Sequence, residues 1–71
     1  MNFMIKIKKR PKVSIGDSVK PYWSKRFFKV VRILDYSTTE KMYQYGRIGN
    51  NVLASEITAI RKGDKILEIT R

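Results

Sequence analysis

The sequence predicts an all-β fold, a small barrel of five or six short antiparallel strands with one short helical turn near residues 54–58. Three observations lead there. Apolar residues recur at every second position over short runs, as at Phe3, Ile5 and Ile7. Turn formers cut those runs at close intervals, at Gly16-Asp17, Gly49-Asn50-Asn51 and Lys62-Gly63-Asp64-Lys65. β-branched residues then fill the one segment that could extend as a helix, at Ile57, Thr58 and Ile60.

The length of 71 residues sets one domain, residues 1–71. A chain of this size buries only about 60% of the surface its unfolded form exposes, so the core is small. There is no cysteine and no histidine, which removes disulfides, thiolate chemistry and the usual zinc spacings together. That composition fits a reducing, cytoplasmic setting. No apolar run approaches the roughly 20 residues needed to span a bilayer, so no membrane partner is expected.

Taken in order, Asn2 to Lys8 alternates, with Phe3, Ile5 and Ile7 on one side and Met4, Lys6 and Lys8 on the other. This predicts a half-buried strand, and if unpaired it offers an edge to a second copy. Monomer and weak homodimer both follow. Lys8, Lys9, Arg10 and Lys12 surround Pro11 and predict an extended basic linker or arm at 8–12. Gly16-Asp17 turns the chain into a strand at Ser18-Val19-Lys20, which Pro21 ends or places at an edge.

Ser24-Lys25-Arg26 reads as a loop tip, and Phe27 to Leu34 as the longest strand, apolar on both faces like a bent central strand. Asp35 to Lys41 connects to a strand over Lys41 to Ile48. If the tight turn is Asn50-Asn51, Ile48 faces Leu53, Met42 shares their side, and Tyr43, Tyr45 and Arg47 point the other way. Those tyrosines either extend an aromatic, basic surface or cover the core. Ala54-Ser55-Glu56-Ile57 reads as one helical turn capped by Ser55, and Ile66 to Thr70 as the last strand.

Charge supplies the functional reading. The net charge is +10, and from Met1 to Arg32 ten Lys or Arg face a single acid, Asp17. Such a block self-repels, and a polyanion relieves it. Between Lys20 and Leu34 the rings of Tyr22, Trp23, Phe27 and Phe28 are interleaved with Lys20, Lys25, Arg26 and Lys29. Rings offer stacking faces and the cations hold phosphate, the combination that nucleic acid requires.

Ile15-Gly16-Asp17-Ser18-Val19-Lys20 opening a strand, Phe28-Lys29-Val30-Val31-Arg32-Ile33 as the next, and Ala54-Ser55-Glu56-Ile57 before the final strands give a further indication. In these segments, roughly Val13 to Ile60, the chain resembles the SH3-like small barrels and distantly the KOW-type domains of ribosomal proteins and transcription factors. The resemblance implies binding of nucleic acid or protein without catalysis.

Catalysis finds no set of residues to carry it. The acids Asp17, Asp35, Glu40, Glu56, Asp64 and Glu68 mostly adjoin turns, and none is spaced as a two-metal site requires. No catalytic residue, metal or cofactor is assigned. Gly46-Arg47-Ile48-Gly49 matches a GXXG loop, but in strand-like sequence it reads as a glycine bulge before a hairpin.

The leading expectation is therefore a non-enzymatic protein that binds DNA or RNA with low sequence specificity. Lys20, Tyr22, Trp23, Lys25, Arg26 and Lys29 form its surface, Lys8, Lys9, Arg10 and Lys12 an auxiliary arm, and Tyr43, Tyr45 and Arg47 a second patch. The alternative is an interaction module that docks on an acidic protein partner, as a small regulator of a transcription, replication or translation machine would.

Overall fold

The computed structural model describes residues 3–8, 11–46 and 49–69. Seven strands and one 3-10 turn follow in order among them: β1 (Phe3–Ile7), β2 (Ser18–Pro21), β3 (Phe28–Asp35), β4 (Lys41–Tyr45), β5 (Asn50–Leu53), the turn Ala54–Glu56, β6 (Ile57–Lys62) and β7 (Lys65–Ile69). The all-β class and the single helical turn are as the sequence predicts. Ile57–Lys62 is a strand, in keeping with its β-branched residues.

The strands hydrogen-bond in the order β1-β7-β6-β2-β3-β4-β5. The sheet is mixed rather than wholly antiparallel, because β1 runs parallel to β7, with Phe3 opposite Lys65 and Ile7 opposite Ile69. It does not close into a barrel, since β1 and β5 stand at its two ends. Seven strands stand where five or six were expected, and the pairing of the first with the last is non-local, so no turn signal in the sequence points to it. Within the Asn2–Lys8 stretch expected to offer an edge to a second copy, Phe3–Ile7 thus has one edge covered by its own chain.

β3 is the strand that bends. Phe28 and Lys29 pair with β2, whereas Val30 and the residues after it pair with β4, and the register shifts between Val30 and Arg32. Val31 is the extra residue of this bulge and is 48% exposed; beyond it Arg32 faces out and Ile33 packs against the core, the reverse of strict alternation from the buried Val30. The seam between β2 and β3 is lengthened by loop pairing, Gly16 N donating to Val30 O at 2.9 Å and Val30 N to Asp17 O at 2.8 Å.

Val13, Val19, Val30, Tyr43, Val52, Ile57 and Ile60 form the buried cluster, with Ile33, Tyr45, Ala54 and Ile69 packed against it. Each fully buried aliphatic side chain is worth about 1.5–3 kcal/mol, so any one is a large share of a small domain's stability. The core draws little from β1: Ile5, expected to face inward, is 41% exposed and Met4 is 60% exposed. An edge strand has a neighbour on one side only, which leaves Met4 and Ile5 largely in solvent while Ile7 is half-buried.

The β4–β5 hairpin keeps the expected alternation but moves the turn. Tyr43 pairs with Val52, Gln44 with Asn51 and Tyr45 with Asn50, so Asn50 and Asn51 stand inside β5 and the tight turn is not at Asn50-Asn51. Gly46 and Gly49, at φ 73° and 71°, take the left-handed backbone that this reversal needs. Gly46 and Gly49 directly follow and precede the paired Tyr45 and Asn50, so these glycines serve the hairpin turn rather than a bulge ahead of one. Leu53 stands opposite Met42 and not the Ile48 expected, and Ile48 itself lies outside the described residues.

Candidate functional site

The loop between β2 and β3, residues 22–27, carries the aromatic and cationic side chains singled out in the sequence. Pro21, the last residue of β2, is buried rather than set at a free edge. Beyond it the first half of the loop is held by backbone hydrogen bonds. Tyr22 N donates to Glu56 O at 2.9 Å and Ser24 N to Pro21 O at 3.2 Å. The Ser24 hydroxyl accepts from Arg26 N at 3.0 Å and donates to Arg26 O at 3.3 Å, folding the tip back on itself.

Glu56 is the residue that fixes this loop to the 3-10 turn. One carboxylate oxygen accepts from the Trp23 indole Nε1 at 3.0 Å and the other from Leu53 N at 2.9 Å. Leu53, not Ser55, occupies the cap position, and its free amide is satisfied by a side chain three residues on. Glu40 does the same for Ser55 N, at 3.0 Å. Two glutamates thus serve the amides that a short helical turn leaves without internal partners.

The loop splits its rings between two surfaces. Trp23 approaches Phe28 at 6.0 Å between ring centroids, and Phe28 stacks on Tyr45 at 4.3 Å and 20°. This row leads from solvent into the core side of β3, because Tyr45 lies opposite the buried Val30. Tyr22 and Phe27 belong to the other side. They line an open groove of about 490 Å³ with Lys20, Met4, Ile66 and Glu68, against the outer face of β1, β7, β6 and β2. Arg61 rests on the Phe27 ring at 5.3 Å, a cation–π contact.

Lys25 and Arg26 at the loop tip, Lys29 on β3, and Lys8 and Lys12 in the basic segment are exposed, and Lys20 is half-buried. Tyr22 is 66% and Trp23 47% exposed, so both offer ring surface to a ligand. Tyr43 is a correction: at 7% exposure it is part of the core, because pairing with Val52 turns it inward. Tyr45, half-buried in the ring row, also faces the core side rather than a second open patch. Lys9, Arg10 and Arg47 lie outside the described residues.

Sequence reasoning missed that Phe27, Ile66 and Glu68 line one groove with Tyr22, and that Arg61 covers Phe27. Their proximity depends on the β6–β2 and β6–β7 registers, in which Arg61 stands opposite both Ser18 and Ile66. No local pattern encodes that pairing.

The acids leave most of the positive charge uncompensated. Asp17 accepts from Ser14 N and pairs with Lys62, bracing the Gly16 turn against the end of β6. Asp35 and Lys41 pair at 2.8 Å across the start of the β3–β4 hairpin. The Lys41 ammonium holds the Asp35 carboxyl below its ordinary value, and the carboxylate raises Lys41, by hydrogen bonding first and charge second. Among the described residues no other ion pair falls within 4.0 Å, and no three potential metal ligands cluster.

Comparison with known proteins finds no family model, no curated relative and no solved structure that matches this chain.

Proposed function

We propose that this protein is a non-enzymatic nucleic-acid-binding protein whose contact surface is centred on the 22–27 loop. The observation that carries the proposal is that loop's composition and anchoring. Tyr22, Trp23, Lys25 and Arg26 are all exposed on a segment tied down by Tyr22 N to Glu56 O and by Trp23 to Glu56. A fixed loop gives up little conformational entropy on binding, so more of each contact appears as affinity.

Phosphates would be met by Lys25, Arg26 and Lys29, with Lys8 and Lys12 adding to the field. Such contacts position a polyanion without reading its sequence, and no helix is present among the described residues to enter a groove and read base edges. The kinship to SH3-like, KOW-type domains is part of the same proposal. The 3-10 turn directly before the last two strands supports it.

The test is a titration of Trp23 fluorescence with DNA and RNA across a range of salt, for the wild type and for Lys25→Ala/Arg26→Ala. Expected is binding whose logarithm falls linearly with log salt, the slope shrinking by about 1 for each cation removed. Binding that disappears at physiological salt and ignores the double substitution overturns the reading. It would point instead to an acidic protein partner.

A further inference from the structure

We infer that the groove beside Tyr22 receives an unstacked base, so that the nucleic acid this protein takes is single-stranded. The inference rests on the nucleic-acid reading above and names its substrate class. At about 490 Å³ the groove falls within the usual range of small-ligand sites, roughly 300–1,000 Å³. It lies between the 22–27 loop and the sheet and is lined by two rings, Tyr22 and Phe27. A base held in a duplex has its faces covered by its neighbours and cannot stack there; a base in a single strand can.

The polar groups are distributed as a nucleotide requires. Lys20, half-buried on the groove wall, makes no ion pair among the described residues, while Lys25 and Arg26 lie exposed farther along the same loop. They form the phosphate side. Met4, Ala59 and Ile66 supply an apolar floor against which a base face loses water. Glu68 lies across the sheet from Lys20, opposite Ala59 on β6 and Lys6 on β1. A carboxylate there accepts from an exocyclic amine, which cytosine and adenine present and thymine lacks. The Thr58 hydroxyl is already committed, donating to Lys20 O at 3.0 Å.

The experiment is anisotropy of labelled oligonucleotides at physiological salt: a mixed-sequence single strand, its duplex, and homopolymers of dC, dA and dT. It uses the wild type, Tyr22→Ala and Tyr36→Ala, a similarly exposed tyrosine on the β3–β4 connection and outside the groove lining. Expected is single-strand binding at least tenfold tighter than duplex, weakened about tenfold by Tyr22→Ala and within twofold unchanged by Tyr36→Ala. Among the homopolymers, dT is expected to bind worst.

Duplex bound as tightly as single strand, or both weakened equally by Tyr22→Ala, overturns the base-in-groove inference and leaves the nucleic-acid reading standing. Binding to none of these overturns both. A second measurement is independent of any substitution. Amide shifts of the wild type on adding the single strand are expected to cluster at Met4, Lys20, Ala59 and Ile66, and a cluster confined to Trp23, Phe28 and Tyr45 overturns the inference.

Discussion

Trp23 and Glu56, 33 residues apart in the chain, are joined by a hydrogen bond from the indole Nε1 to a carboxylate oxygen at 3.0 Å. The same carboxylate caps the 3-10 turn through Leu53 N, so one side chain fixes both the aromatic loop and the turn before β6. Replacing Glu56 with Ala removes both bonds at once. Hydrogen bonds to a charged group are worth about 1.5–3 kcal/mol each when buried and less when half-exposed, as here. The expected loss is about 1–3 kcal/mol in urea denaturation, together with a red shift of Trp23 emission in the folded state. An unchanged midpoint and spectrum would mean the bond does not organise the loop.

Tyr43 and Tyr22 are expected to separate stability from binding. Tyr43→Ala opens a cavity beside Val52 and is expected to cost about 3–5 kcal/mol, enough to unfold a small domain, as read by thermal melting. Tyr22→Ala, at a site 66% exposed, is expected to leave the melting temperature nearly unchanged. Equal effects of the two would contradict the burial of Tyr43.

Hydrogen exchange is expected to rank the strands. β1 pairs only with β7 and carries the exposed Met4 and Ile5, whereas β6 lies between β2 and β7 and contributes Ile57 and Ile60 to the core. Amides of β1 should exchange through local opening well before those of β6. Uniform protection across both would show that the parallel pair opens only with the whole sheet.

The Asp35–Lys41 pair gives a pH dependence whose sign follows from its direction. Asp35 titrates below its unfolded value, so its contribution is present above the ordinary carboxylate range and is lost as pH falls through the folded value. Lys41 is raised, so its share is present below the ordinary lysine range and is lost as pH rises through the folded value. Both groups are exposed and the effect is small. Comparing melting temperatures of wild type and Asp35→Asn from acid to neutral pH should show any difference shrinking in acid. A difference that grows in acid would exclude the pair as its source.

Local chemistry made much of the fold legible. Ser18 to Lys20 before Pro21, the loop tip at Lys25 and Arg26, and the choice of strand over helix at Ile57 to Lys62 all follow from neighbours in sequence. Alternation also put Tyr43 and Tyr45 on one side and Met42 with Leu53 on the other. What alternation cannot say is which side is wet, since that depends on the strands packed above. The same limit hid the groove, whose lining comes from β1, β2, β6, β7 and the loop. The bulge at Val31 escaped for a different reason: it adds one residue without altering composition, so the outward turn of Arg32 and the inward turn of Ile33 have no signature in the sequence.

The β2–β3 seam has a mechanical consequence. Only two residue pairs, Ser18 with Lys29 and Val19 with Phe28, join these strands in register, and the Gly16–Val30 and Asp17–Val30 bonds extend the join. Glu56 bridges the same division from the other side, since the loop it grips follows β2 and the turn it caps follows β5. The molecule is thus two half-sheets latched at two places. Whatever settles on the loop presses on that latch, so occupancy of a surface site should slow exchange at the amides of Gly16 and Val30, where no ligand atom reaches.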